Sequence, residues 1–347
     1  MITQSKNLAI INCVILFTLL SCSVNMSAKS DEVVNVYTSR HYDIDGLIYK
    51  NFTEETGIRV KEVSSKDQAL LERLKNEGSN SPADILILAD AARLYKAQSS
   101  GFFQTLNSVK LKIAIPDQFR SGDSWVGLTT RARIIVFNKE RFSIDDVKTY
   151  EDLADKKFKN QFCSRTSSHP YMLSLISSLI TNLGEKEAKA WAKKVVSNQA
   201  RKPKGGDTDQ MRAIASGECG VALTNSYYLV RLMRSKSPKD QRVINAIGYS
   251  MPNQLSFGTH INVTGGGILK NAPNPDNARR FLEYLASRNA QKIFAERNNE
   301  WPILEDLPIK NTALSSLGEF KRDRLSIELI GKNQFKAQSL ADSVNWR

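Results

Sequence analysis

Two α/β lobes joined by a pair of crossing strands are the fold this sequence predicts, and three observations carry it. The chain has 347 residues, more than one hydrophobic core usually organises. Short apolar, β-rich runs alternate with amphipathic helical segments in two separate stretches, as in sheets flanked by helices. Two longer strand-like runs stand between those stretches, where the surroundings of the chain change.

The first 21 residues read as a signal peptide: Lys6 precedes the apolar run 8–20, which is short for a membrane span. Leu19-Leu20-Ser21-Cys22 has the layout of a bacterial lipobox, in which Cys22 is lipidated and becomes the mature N-terminus. Ordinary cleavage near Ser27-Ala28 is the alternative. Residues 22–32 are a polar tether.

Residues 33–37 form a first strand that opens into a loop at 38–43. A helix follows through Leu47, Ile48 and Phe52 to a capping Gly57, then a strand at 58–63. Leu70, Leu71 and Leu74 mark a second helix that stops at Gly78, and the all-apolar run 85–88 is a strand buried on both faces. This βαβαβ unit begins the first lobe.

The stretch 125–138 contains a long strand-like run, 134–137, and a new helical pattern starts at 150–153. Ser167 to Tyr171 is a helix start with Pro170 at the first helical position. Gly205-Gly206-Asp207 precedes a helix ending at Gly217; a buried strand at 220–223 then delivers residues 224–228 to another helix start, capped by Asn225 or Ser226. The run 256–263 is the second long strand, followed by Gly265-Gly266-Gly267, which permits an unusual backbone path. Helices at 278–287 and 289–297 follow, and 314–330 closes onto the second lobe; from Gln334 the sequence gives no reading. The expected division is a first lobe of 33–130 and 264–308, a second of 138–254 and 309–347, and crossings at 131–137 and 255–263.

A formal charge of +13 invites comparison with nucleic-acid binders. The Lys and Arg residues, however, are spread through amphipathic segments, with no zinc-finger or RNP-like sequence beside them. Chemistry-bearing residues fall instead where an interlobe cleft would be lined: His41 and Tyr42 after the first strand, Tyr171 at one helix start, Tyr227 and Tyr228 at another. Phenolate is a hard anionic donor suited to a hard trivalent cation, whereas the chain has only three histidines and no zinc-ligand spacing. Ligation must displace a proton of ordinary pKa about 10, helped by the metal's charge and by a helix N-terminus. Consecutive helical residues diverge by roughly 100°, so Tyr227 and Tyr228 converge on one ion only at a helix start. Arg131, Arg133 and Arg231 are the cations available to balance several phenolates. Taken singly, a tandem tyrosine pair more often serves packing; its conjunction with the other cleft positions favours a metal.

Four segments together resemble the periplasmic ferric-iron-binding proteins of bacterial ABC transporters, the Fut/ferric-binding-protein family of the type II solute-binding fold: 36–42, 225–231, 258–267 and 298–302. The resemblance runs from about residue 33 to about residue 307. It implies Tyr42, Tyr171, Tyr227 and Tyr228 as ferric ligands, His41 at a position that supplies a histidine in some members, and Arg131 and Arg231 beside the metal. The residues 167–172 depart from the family's usual sequence around the Tyr171 ligand. The tyrosine count implies a site needing no synergistic anion, and ferrous binding through arginine rearrangement stays open. A permease with its ATPase would be the partners of a periplasmic monomer anchored by lipid at Cys22.

Two cysteines, Cys163 and Cys219, are left for the folded body once Cys13 leaves with the signal and Cys22 takes lipid. In an oxidising compartment they pair as a disulfide or remain buried thiols. The competing function is the same fold holding a polyamine, sugar or oxyanion. An enzyme is disfavoured, because no Ser/His/Asp arrangement, Walker sequence or dinucleotide fingerprint occurs.

Overall fold

The structure, a computed structural model, describes residues 32–40, 43–304 and 306–347. The expected signal peptide, Cys22 and nearly all of the tether, and the candidate ligands His41 and Tyr42, lie outside the described residues.

Strand β1 (Val33–Thr38) leads through α1 (Asp43–Thr56) to β2 (Arg59–Ser64), and α2 (Asp67–Glu77) leads to β3 (Ile85–Ala89). β1 pairs in parallel with both other strands. The two helices end at glycines because the chain there turns left-handed, with φ of 77° at Gly57 and 55° at Gly78. Helices α3 (Ala91–Ser99) and α4 (Val109–Ala114) and the short β4 (Arg120–Ser121) bring the chain to the long strand β5 (Trp125–Asn138), every residue of which is buried.

Beyond β5 come β6 (Phe162–Cys163), α5 (Pro170–Leu183), α6 (Glu185–Ser197), α7 (Asp207–Ala215), β7 (Val221–Asn225), α8 (Ser226–Arg234), α9 (Pro238–Ala246) and β8 (Ile247–Ser250). The helical pattern expected after Tyr150 is only a 3-10 turn, Glu151–Ala154. The Tyr150 carbonyl, which an α-helix would spend on the residue four positions on, accepts the Leu153 N–H at 3.2 Å and the Trp191 indole N–H at 2.7 Å. Cys163 and Cys219 are joined, with their Cα atoms 5.9 Å apart. The bond fastens β6 to the approach to β7, two strands that run in parallel.

Strand β9 (Ile261–Ile268) is displaced from the expected position. Residues before it turn, with left-handed φ at Asn253 (62°) and Gly258 (95°), and the extended pairing begins only at Ile261. Gly265-Gly266-Gly267 is therefore strand, not a special loop, and its glycines answer a close approach: a Cβ on Gly265 would lie 2.4 Å from the Val126 carbonyl oxygen. The chain closes with α10 (Pro275–Leu285), α11 (Arg288–Asn298), β10 (Trp301–Pro302), α12 (Thr312–Ser315), α13 (Ile327–Lys332) and α14 (Gln334–Ser343). α13 packs against α3 as well as α5, its Ile330 carbonyl accepting from Ser177 Oγ at 2.8 Å. The terminal stretch, unread from sequence, anchors through a fully buried Trp346 set against Phe162 and Trp191.

The strands run in the order β2-β1-β3-β9-β5-β7-β6. The first part of β5, to Ala132, pairs with β9; from Arg133 onward the same strand pairs with β7 and β8. At this changeover the buried Tyr150 hydroxyl donates to the Arg133 carbonyl at 2.5 Å and accepts from the His260 N–H at 3.1 Å. One side chain thus satisfies backbone groups of both strand paths where they part.

Candidate metal-binding cleft

Helix starts place the described tyrosines. α5 opens with Pro170 at its first position, and its N-cap is His169, whose Nδ1 accepts the Tyr171 N–H at 3.2 Å. α8 opens after Asn225, but neither candidate side chain caps it. Asn225 Oδ1 accepts from Arg133 Nη1 at 3.1 Å, and Ser226 Oγ accepts the Ala132 N–H at 3.1 Å, so both side chains are spent tying the helix to β5. Sequence reasoning expected a local cap where the fold uses a long-range tether.

From these starts the Tyr171 and Tyr227 hydroxyls meet at 3.2 Å. Two donors each about 2.1 Å from one small ion, at right angles to one another, lie roughly 3 Å apart, so the pair is spaced as adjacent ligands are. The Tyr227 and Tyr228 rings lie 4.2 Å apart with planes 31° from parallel, so the helix start turns them the same way. All three tyrosines line a cavity of about 860 Å³. Among the described residues, no group of three His, Cys, Asp or Glu side chains is placed to hold a metal. The oxygens of these tyrosines are clustered hard donors, while the carboxylate of Asp67, which also lines the cavity, is paired with Arg93 at 2.7 Å.

Guanidinium groups surround the phenols. Arg131 lies 5.5 Å and Arg165 5.1 Å from the Tyr171 ring, and Arg231 lies 4.9 Å from the Tyr228 ring while donating to Thr208 Oγ1 at 2.8 Å. Burial pushes the Tyr171 phenol above its ordinary pKa, and Arg131 pulls it partway back. Tyr171 therefore waits as a neutral phenol. Arg131 itself is buried, with Asp90 at 3.8 Å and Glu300 at 3.9 Å, both beyond hydrogen-bond length. Burial also drives His169 down to about 2, with Arg165 and Arg93 adding to the effect, so this imidazole is neutral at any working pH.

Beneath the tyrosines sits a residue that the sequence reading did not single out as functional. Asp207, fully buried at the start of α7, accepts from Arg133 Nη1 at 2.8 Å, Arg165 Nη1 at 3.3 Å and the Asn225 N–H at 2.7 Å. Arg133 in turn reaches Met172 Sδ at 3.2 Å, so one carboxylate indexes both tyrosine-bearing helices. An acid straight after Gly205-Gly206 was the available clue; nothing in the sequence around Arg165 marks it.

A sheet that shares one long strand between two halves, with a polar cleft lined from helix starts, defines a solute-binding protein. Residues 48–315 match the family described as bacterial extracellular solute-binding protein, and the chain belongs to that family. It is 43% identical over 315 residues to iron uptake protein A1 of Synechocystis sp., covering 90% of this chain and 87% of that one. Among solved structures, the Trichodesmium protein IdiA (FutA) in complex with iron and citrate superposes with a TM-score of 0.88 at 46% identity, covering 91% of this chain and all of that one. Apo FutA2 from Synechocystis superposes with a TM-score of 0.87 at 42% identity, with 91% and 100% coverage.

Proposed function

We propose that this protein is the extracytoplasmic iron-binding component of an ABC transporter, capturing ferric iron in the cleft and delivering it to a membrane permease powered by its ATPase. The observation that carries this reading is the meeting of the Tyr171 and Tyr227 hydroxyls at 3.2 Å inside a cavity that Tyr228 also lines. Tyr42 is the fourth phenolate of the proposed set and His41 a further donor. The relatives named for iron uptake and the iron-bound structural neighbour support the same solute.

The charges are consistent with that cargo. Four phenolates around a trivalent ion leave one negative charge, and the guanidiniums of Arg131 and Arg231, 5.5 Å and 4.9 Å from tyrosine rings, support a balancing role for both. Since each ligating phenol must lose its proton, binding weakens as pH falls: below the phenol pKa every ligand is protonated in the free protein and must be ionised by the metal.

Intact protein tests the reading in one preparation. Iron loading should give one ferric ion per chain, a visible phenolate-to-ferric absorption band and a release of roughly three to four protons. A polyamine or oxyanion carrier would show neither the band nor the stoichiometric iron, and ferrous cargo would leave the band absent until oxidation. The mass of the same sample, isolated from membranes, should correspond to a monomer beginning at a lipidated Cys22; an unmodified N-terminus near Ser27-Ala28 would refute the lipid anchor and leave a free periplasmic protein.

A further inference from the structure

We propose that His169 is a hydrogen-bond donor to the captured ion's shell, its Nε2–H serving the oxygen ligand, not itself a tyrosine, that completes the coordination. The inference rests on the ferric reading of the cleft and goes beyond it, assigning a role to a residue in the stretch that departs from the family's sequence.

His169 Nδ1 accepts the Tyr171 N–H at 3.2 Å. A ring nitrogen that accepts carries no proton, so the imidazole is neutral and its single proton sits on Nε2. While the cap holds, Nε2 has no lone pair for a metal and can only donate. His169 lines the cavity with the tyrosines, and its ring stands edge-on to Tyr171 with centroids 4.5 Å apart and planes 73° from parallel. No acceptor among the described residues takes the Nε2 proton. The charged groups that act on it, Arg165, Arg93, Arg133 and Arg131, are all donors, and the one carboxylate among the described residues that line the same cavity, Asp67, is paired with Arg93 at 2.7 Å. In the free protein, where His169 is only partly buried, solvent takes this proton; with the ion in the cavity, the acceptor that fits is a metal-bound oxygen: water or hydroxide, or a small carboxylate or carbonate.

Two readouts separate this role from simple capping. The ¹⁵N spectrum of the apoprotein, which has three histidines in all, should show the His169 proton on Nε2, with His169→Asn providing the assignment. A proton on Nδ1 overturns the proposal whether or not iron binds, whereas failure of the parent chain to bind ferric iron overturns the underlying reading and leaves the tautomer to decide this one. In the iron-loaded protein, His169→Asn keeps a good N-cap and loses the donor at the Nε2 position, its amide N–H ending short of that reach, while His169→Ala loses both cap and donor. Without added anion, ionisation of a metal-bound water, followed through the visible band, should move up by roughly one to two pH units in both variants, because the donor favours hydroxide. With citrate or bicarbonate added, a carboxylate-type ligand would instead show as a roughly tenfold or greater loss of anion affinity in both. Effects in either arm that are shared by Asn and Ala support the donor. An Asn variant that matches the parent in both arms, while Ala alone is impaired, assigns His169 to the cap and overturns it.

Discussion

Tyr227→Phe should lower ferric affinity by more than the roughly 10–100-fold that loss of an outer-shell partner costs, while leaving the fold intact. The substitution removes one oxygen and keeps a ring that is 6% exposed and stacked on Tyr228 at 4.2 Å. Packing is conserved, so the melting temperature should barely move. The oxygen it removes is the one 3.2 Å from the Tyr171 hydroxyl. Water offers no fixed negative charge in its place, and the remaining phenolates would leave the surrounding guanidiniums overbalanced. Tyr228→Phe should behave alike, and Tyr171→Phe should also shift the visible band. Competition against a chelator of known strength, with a thermal melt of each variant, checks the claim. Affinity and spectrum unchanged in both tandem variants would mean that these phenols pack and do not ligate.

Asp207→Ala should be the most destabilising single change near the cleft, by about 3–5 kcal/mol, the cost of removing one partner from a buried charge pair. It leaves Arg133, 2% exposed, without its carboxylate and strips Arg165 and the Asn225 N–H of an acceptor at the same stroke. Asp207→Asn keeps the shape and part of the hydrogen bonding, so it should fall between the parent and Ala. Because Asn225 immediately precedes α8 and Arg133 touches Met172 in α5, the Ala variant should also hold iron more weakly at temperatures where it remains folded. Urea unfolding of the three proteins decides; a loss under about 1 kcal/mol would show that water or a neighbour replaces the carboxylate.

Local rules made much of this molecule legible. The βαβαβ opening, the strand run 134–137 inside β5, Pro170 at a helix start and the tandem tyrosines at another all follow from periodicity, glycine and proline, which act over a few residues. What escaped is what distant partners decide. Gly265-Gly266-Gly267 has poor strand propensity, and only its pairing between β3 and β5 makes it a strand. Asn225 and Ser226 look like caps until β5 claims their side chains. The terminal Trp346 has no periodic company, yet the pocket between Phe162 and Trp191 orders it. In the cleft the tyrosines were readable because their chemistry is unusual for their positions, whereas Asp207, Arg165 and His169 are ordinary residues whose meaning is their neighbours.

Strand β5 has a consequence for how the protein fails. Its first part supplies hydrogen bonds to one half of the sheet and its continuation supplies them to the other, within a single buried run of backbone. If either half loses order, the strand loses the register that the other half depends on. The expected outcome is that the two halves melt together, so that a lesion far from the cleft, in either half, lowers a single thermal transition; two separate transitions in calorimetry would show that each half holds its own order.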